Sequence, residues 1–225
     1  SELLKIISED INKNLKTYYL NYFLEKSNKI SNFRKNKPNK KFIEVNKELL
    51  LMHLKDVIRY QAQPFNGIFN VVFSILYQTS IINGNICNLE SNGLDELFLG
   101  SNDYINLKNF KFNKYNYQNS LFNSDIFHPS IIKENPCLSF KDIISKFPEE
   151  YSLERKFSLA NLFHLKVPSE LRFKHNLSTN YSYEIKFPFL DHNLFLFAIN
   201  LPKKYLIDYE KDLGKKIIRD LLNDY

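Results

Sequence analysis

Short apolar stretches alternate along this chain with longer segments of helical period, and that alternation constrains the fold more than any other feature. Phe42 to Val45 reads as a short strand. Asn46 then stands where a side-chain oxygen caps a helix carrying Leu49, Leu50, Leu54, Val57 and Ile58 on one side. The stretch Gln63-Pro64-Phe65-Asn66-Gly67 breaks the chain before Ile68 to Ile82, a helix of buried type closed by Asn83 and Gly84, which tolerate positive φ. Asn85 to Leu89 is another short strand, and Ser91 to Phe98 a turn running into a helix. Strands alternating with helices predict an α/β fold, a parallel sheet flanked by helices with a helical carboxyl-terminal part, and ligands bind such sheets at the carboxyl ends of the strands.

The flanks of this pattern are read less directly. Leu3 to Leu24 has apolar residues at roughly helical spacing and is expected to form a helix that ends in a basic loop, Lys26 to Lys41. Residues 1–41 are therefore set apart as a helix plus basic loop, a possible remnant of a first α/β unit, and 42–225 as the main domain. Tyr104 to Ser124, rich in Asn, Tyr and Phe without a clear period, is expected to be irregular; helical patterning returns at Phe140 and runs through Leu153 to Leu165.

Composition excludes several classes. No apolar run approaches the ~20 residues of a bilayer span, so a soluble protein without a membrane partner is expected. Two cysteines, Cys87 and Cys137, make no disulfide scaffold and no metal spacing, which fits a reducing, cytoplasmic setting. The net charge of +6 is concentrated in the basic loop, better read as solvated than as a nucleic-acid arm, so nucleic acid is a disfavoured partner. His53, His128 and His164 lack paired ligand spacing and are assigned structural roles.

Three segments carry residue types with chemical potential. Ser91-Asn92-Gly93-Leu94-Asp95-Glu96 opens a helix with a glycine and two carboxylates; free N–H groups at the helix start suit phosphate, and the carboxylates suit a bridging divalent cation. On these residues alone an acidic first turn favoured by the helix dipole is the preferred reading, because such turns are common. In Glu184-Ile185-Lys186-Phe187-Pro188-Phe189-Leu190-Asp191-His192, Asp191 caps the next helix, and Glu184 and Asp191 either face a ligand or serve capping and ion pairing. Near the end, Lys215 and Arg219 lie four apart and are expected to share a helix face; Lys215 directed into an ATP site would neutralise charge developing at the attacked carboxylate and phosphate.

In this order the segments resemble the synthetase domain of the asparagine synthetase family. Ser91-Asn92-Gly93-Leu94-Asp95-Glu96-Leu97-Phe98-Leu99-Gly100 looks like its Ser-Gly-Glu-Gly-x-Asp-Glu-Leu-Phe-Gly-Gly stretch, Glu184 to His192 like Glu-x-Arg-x-Pro-Phe-Leu-Asp-His, and Lys215-Lys216-Ile217-Ile218-Arg219 like Lys-x-Ile-Leu-Arg. The resemblance spans about Lys41 to Asp224. It implies an ATP-pyrophosphatase (adenine nucleotide alpha-hydrolase-like) fold, and AMP-forming amide synthesis in which ATP and Mg²⁺ activate a carboxylate that ammonia or another amine then attacks. The expected partners are a small-molecule carboxylate and an amine donor, with a glutaminase domain or subunit to supply ammonia. Residue by residue it implies that Asp95 ligates Mg²⁺, that Ser91 and Gly93 meet the nucleotide, and that Lys215 is catalytic. Asn92 is implied at a catalytic position, and Glu184 and Asp191 at positions that shape the substrate site.

The departures from the pattern are informative. Asn92 stands where asparagine-forming members carry Glu, and a neutral amide cannot accept a proton from the amine. That weakens asparagine as the product of an asparagine synthetase-like reaction and is the feature favouring the alternative, a relative forming another amide on a peptide, a sugar acid or a metabolite. Lys186 replaces an Arg and loses its bidentate fork, and His175 stands where the family often has Asp. The family's Ser-Gly-Gly-x-Asp-Ser loop is missing from a sequence whose five glycines are never adjacent. The chain is accordingly read as part of a longer protein, the alternative being a pseudoenzyme that has lost ATP binding.

Overall fold

The computed structural model describes residues 16–22, 40–62, 65, 67–101, 104 and 140–223. It is a mixed α/β chain that divides into two compact units, the first taking residues 1–91 and 169–188 and the second 92–168 and 189–225.

The first unit is built on short parallel strand pairs with helices beside them. β1 (Thr17–Tyr22) pairs in parallel with β2 (Lys40–Val45), Thr17 opposite Lys40 and Tyr22 opposite Val45. This corrects the helix expected over Leu3 to Leu24 wherever that segment is described. Aromatic and β-branched side chains fill Thr17-Tyr18-Tyr19-Leu20-Asn21-Tyr22, and pairing with a strand beyond residue 39 outweighs the local apolar spacing. The remainder of the expected helix, and the basic loop up to residue 39, lie outside the described residues.

α1 (Lys47–Gln61) starts where the sequence places it, with Asn46 Oδ1 accepting from the Leu49 N–H at 2.8 Å. Its buried side is Leu50, His53, Val57 and Gln61, a 3-4-4 spacing, while Ile58 turns outward. α2 (Phe69–Ile82) packs on α1, and Gly84 takes φ +74 to end the turn after it. Val57, Val71, Ile75, Tyr77 and Leu177 form the centre of the core, with Ile43 and Val45 from β2. Three buried polar side chains of this core are matched: His53 Nδ1 meets Ser74 Oγ at 3.0 Å, which lies 2.6 Å from the Tyr181 hydroxyl, and Gln61 donates to the Phe173 carbonyl at 3.0 Å.

β3 (Cys87–Leu89) pairs in parallel with β4 (Glu184–Lys186), and the ladder continues with Glu90 N donating to the Lys186 carbonyl at 2.9 Å. Glu90, just past the carboxyl end of β3, is buried in an ion pair with Lys174 and accepts the Tyr77 hydroxyl at 2.6 Å. The Lys174 ammonium also lies 4.3 Å from the centre of the Phe73 ring.

The second unit is mainly helical: α3 (Leu94–Leu97), α4 (Phe140–Ile144) and α5 (Leu153–Phe163), then α7 (His192–Asn200) and α8 (Lys216–Asn223). α6 (Lys166–Asn180) begins here and continues into the first unit. A hairpin of β5 (Ile207–Asp208) and β6 (Leu213–Gly214) precedes α8. Phe157 on α5 packs edge-on to Tyr104 at 5.4 Å between ring centres. Arg155, also buried on α5, donates to the carbonyls of Leu97 and Ala198 at 2.9 Å each, satisfying acceptors near the ends of α3 and α7. Among the described residues no helix is long and apolar enough to cross a membrane.

Candidate functional site

The site grows from the four-residue helix α3. Gly93 takes φ +91 at its N-cap, and a Cβ there would run into the Leu190 side chain, so both backbone shape and space call for glycine. Leu94, Glu96, Leu97 and Phe98 all turn inward; only Asp95 is left partly open to solvent. The two carboxylates treated alike in the sequence therefore separate. Glu96 is buried, bonded to Lys166 at 3.0 Å and to the Tyr104 hydroxyl at 3.4 Å, while its carbonyl accepts from Ser158 Oγ. Glu96 anchors the turn; Asp95 is the carboxylate available for chemistry.

A second segment delivers the lysine. Asp208 Oδ1 accepts from the N–H groups of Glu210 and Lys211 at 3.1 and 3.3 Å, and Asp212 takes φ +49, so the β5–β6 turn is set by short polar side chains. The turn brings Gly214 against the Leu99 carbonyl, where a Cβ would overlap backbone. Lys215 N donates to the Phe98 carbonyl at 3.0 Å, and Lys215 Nζ reaches Asp95 Oδ1 at 2.5 Å.

Lys215 does not share a helix face with Arg219. It stands immediately before α8 with φ +57, and its carbonyl accepts from Arg219 N at 2.9 Å, as an N-cap residue does. Arg219 Nε turns back to the Gly214 carbonyl at 2.9 Å. Leu99 is also left-handed, at φ +52, in the place where the quoted family stretch has the first of two glycines. Each such non-glycine residue costs about 1 kcal/mol or more. Two of them flank the contact between the segments, and the burial of Leu99 holds its strained turn in place.

The other sequence-derived positions are divided between the two units. Ser91 and Glu184 belong to the first unit; Glu184 is exposed on β4 and pairs with Lys186 at 2.5 Å. Asp191 caps α7, its Oδ1 accepting from Leu194 N at 3.0 Å, the capping role its position predicts. Asn92 precedes Gly93 and is half-buried. Sequence reasoning missed Glu90, Lys174, Tyr77 and Arg155, because their partners are distant in the chain and no spacing signals them.

No group of three or more His, Cys, Asp or Glu among the described residues could hold a metal ion. Mg²⁺ is characteristically held by one or two carboxylates together with substrate phosphates, so a single outward Asp95 beside a cationic amine fits a cation that arrives with its nucleotide. The four-residue α3 offers little dipole to an anion, which leaves Lys215 as the positive group of the site.

These features sit in a chain of a definite class, the ATP-dependent amide-forming synthetases. The model of the family described as Asparagine synthase matches residues 34–225, which include both the Asp95 and the Lys215 segments, and the chain belongs to that family. No curated protein and no solved structure matches it.

Proposed function

We propose that the chain is the synthetase portion of an AMP-forming amide ligase, with Asp95 and Lys215 at the reacting phosphates. A carboxylate oxygen of the substrate attacks the α-phosphorus of ATP, pyrophosphate leaves, and an amine nitrogen then attacks the acyl carbon to expel AMP and lose a proton. The observation that carries the reading is the contact of 2.5 Å between Lys215 Nζ and Asp95 Oδ1, which joins segments more than a hundred residues apart in a family that uses ATP. Lys215 stabilises the negative charge that builds on the phosphate oxygens as pyrophosphate departs. Mg²⁺, held by Asp95 together with the phosphates, would supply further charge neutralisation. Under this reading the parallel pairs of the first unit belong to an adenine nucleotide alpha-hydrolase-like sheet, and Ser91 and Gly93 line the nucleotide.

Asn92 favours an amide other than free asparagine, because the site lacks a carboxylate at that position to take the amine's proton. A peptide, a sugar acid or another small carboxylate is the substrate class. The test is ATP–pyrophosphate exchange by the full-length protein, first with aspartate and then with a panel of carboxylates. Exchange with a carboxylate other than aspartate, lost in Lys215→Ala, is the expected result; no exchange with any carboxylate together with no binding of ATP would sink the enzyme reading.

A further inference from the structure

We infer that Gly100 is the positioning residue of the Asp95–Lys215 pair, its missing side chain being the space in which the pair forms. Gly100 does not take a positive φ, so its backbone makes no demand for glycine. A Cβ built on it, however, would overlap Lys215 Cε and Asp95 Oδ1 and crowd Lys215 Cδ. The nearest atoms to that vacant position are thus the two side chains of the site and no backbone. Gly100 N donates to the Asp95 carbonyl at 2.8 Å, which fixes the vacancy beside the carboxylate on the same turn.

Gly214 provides the contrast. There an added Cβ would strike the Leu99 carbonyl and the Gly100 Cα, all backbone, so glycine at 214 serves the fold. At Gly100 the obstruction would fall on the flexible end of Lys215 and on a carboxylate oxygen. One methyl group at 100 therefore displaces the ammonium while leaving the chain path allowed. The consequence for catalysis rests on the function proposed above; the consequence for the lysine does not.

The test uses Gly100→Ala in the full chain with two readouts. The rate at which an amine-directed acylating reagent modifies Lys215, followed by mass spectrometry against the other lysines, should rise severalfold in the variant as the amine leaves its carboxylate. An unchanged rate overturns the inference. ATP–pyrophosphate exchange should fall tenfold or more, mainly in kcat. If the wild-type protein shows no exchange, the proposed function fails while the lysine measurement still decides the role of Gly100. Should Gly100→Ala not fold, the double variant Gly100→Ala with Lys215→Ala carries the test. Removing the lysine side chain beyond Cβ should restore most of the lost thermal midpoint, and a double variant as impaired as the single one overturns the inference.

Discussion

The two units each hold a lysine–carboxylate pair, and the carboxylates, Glu90 and Asp95, are only five residues apart. The pairs are nonetheless different devices. Lys174 and Glu90 are 8% and 9% exposed and are closed in by the Tyr77 hydroxyl and the Phe73 ring. Lys215 and Asp95 are 24% and 42% exposed, with water within reach of both. A buried pair has no alternative partners, so it is committed to the fold, whereas a half-exposed pair can exchange its contacts for those of a ligand at small cost. The comparison explains why proximity in sequence to the candidate site does not make Glu90 part of its chemistry. Tyr77 underlines the point: burial and the adjacent Glu90 carboxylate push its hydroxyl well above the usual tyrosine range, so it stays a proton donor in that bond.

The largest effect on stability is expected from Lys174→Met, which strands a buried carboxylate and should cost about 3–5 kcal/mol in denaturant unfolding. Adding Glu90→Leu should recover much of that loss, since no unpaired charge remains. Equal destabilisation by the single and double variants would break the contrast drawn between the pairs. Leu99→Gly comes next: relief of about 1 kcal/mol of backbone strain is set against about 2 kcal/mol or more for the lost buried side chain, for a net loss of about 1–3 kcal/mol. A stabilised Leu99→Gly protein would show that strain, and not packing, dominates beside Lys215. Lys215→Ala should change stability by under about 1 kcal/mol, as expected for a partly exposed pair, while under the proposed function it should remove exchange activity.

The smallest predicted effect concerns pH. Burial holds the His53 pKa below its ordinary value of 6.5, with nearby Asp56 opposing the shift. The unfolded chain then binds a proton at about pH 6.5 that the folded chain refuses, so stability is lost as pH falls below that value. His53→Gln should flatten the slope of stability between about pH 6.5 and 5.5; an unaltered slope would assign the acid sensitivity to other groups.

What the sequence discloses divides by range. Asn46, Gly84 and Asp191 act within four residues of themselves, and their caps and turns were readable directly from residue type. α2 was legible because its fourteen residues are mostly apolar and lie between a break at Gln63 to Gly67 and the Asn83-Gly84 stop. β1 was not, since apolar spacing over a few turns cannot report a parallel partner that begins at Lys40. In the candidate site, the sequence singled out Asp95 and Lys215 but gave no sign that they pair. Nor was the left-handed backbone of Lys215 visible, because the hairpin and the Leu99 turn impose it from outside the helix pattern. The buried Glu90–Lys174 pair, 84 positions apart, left no trace in local sequence.

If the proposed function holds, the contact between Asp95 and Lys215 also sets the site against simple ions. Inorganic phosphate or sulfate would satisfy the ammonium but leave the carboxylate facing an added negative charge, and a free cation would do the reverse. Only a ligand that brings both signs together gives each partner a replacement. Under the proposed function, the resting pair would act as a coincidence detector, answering an anion and a cation offered together and neither alone.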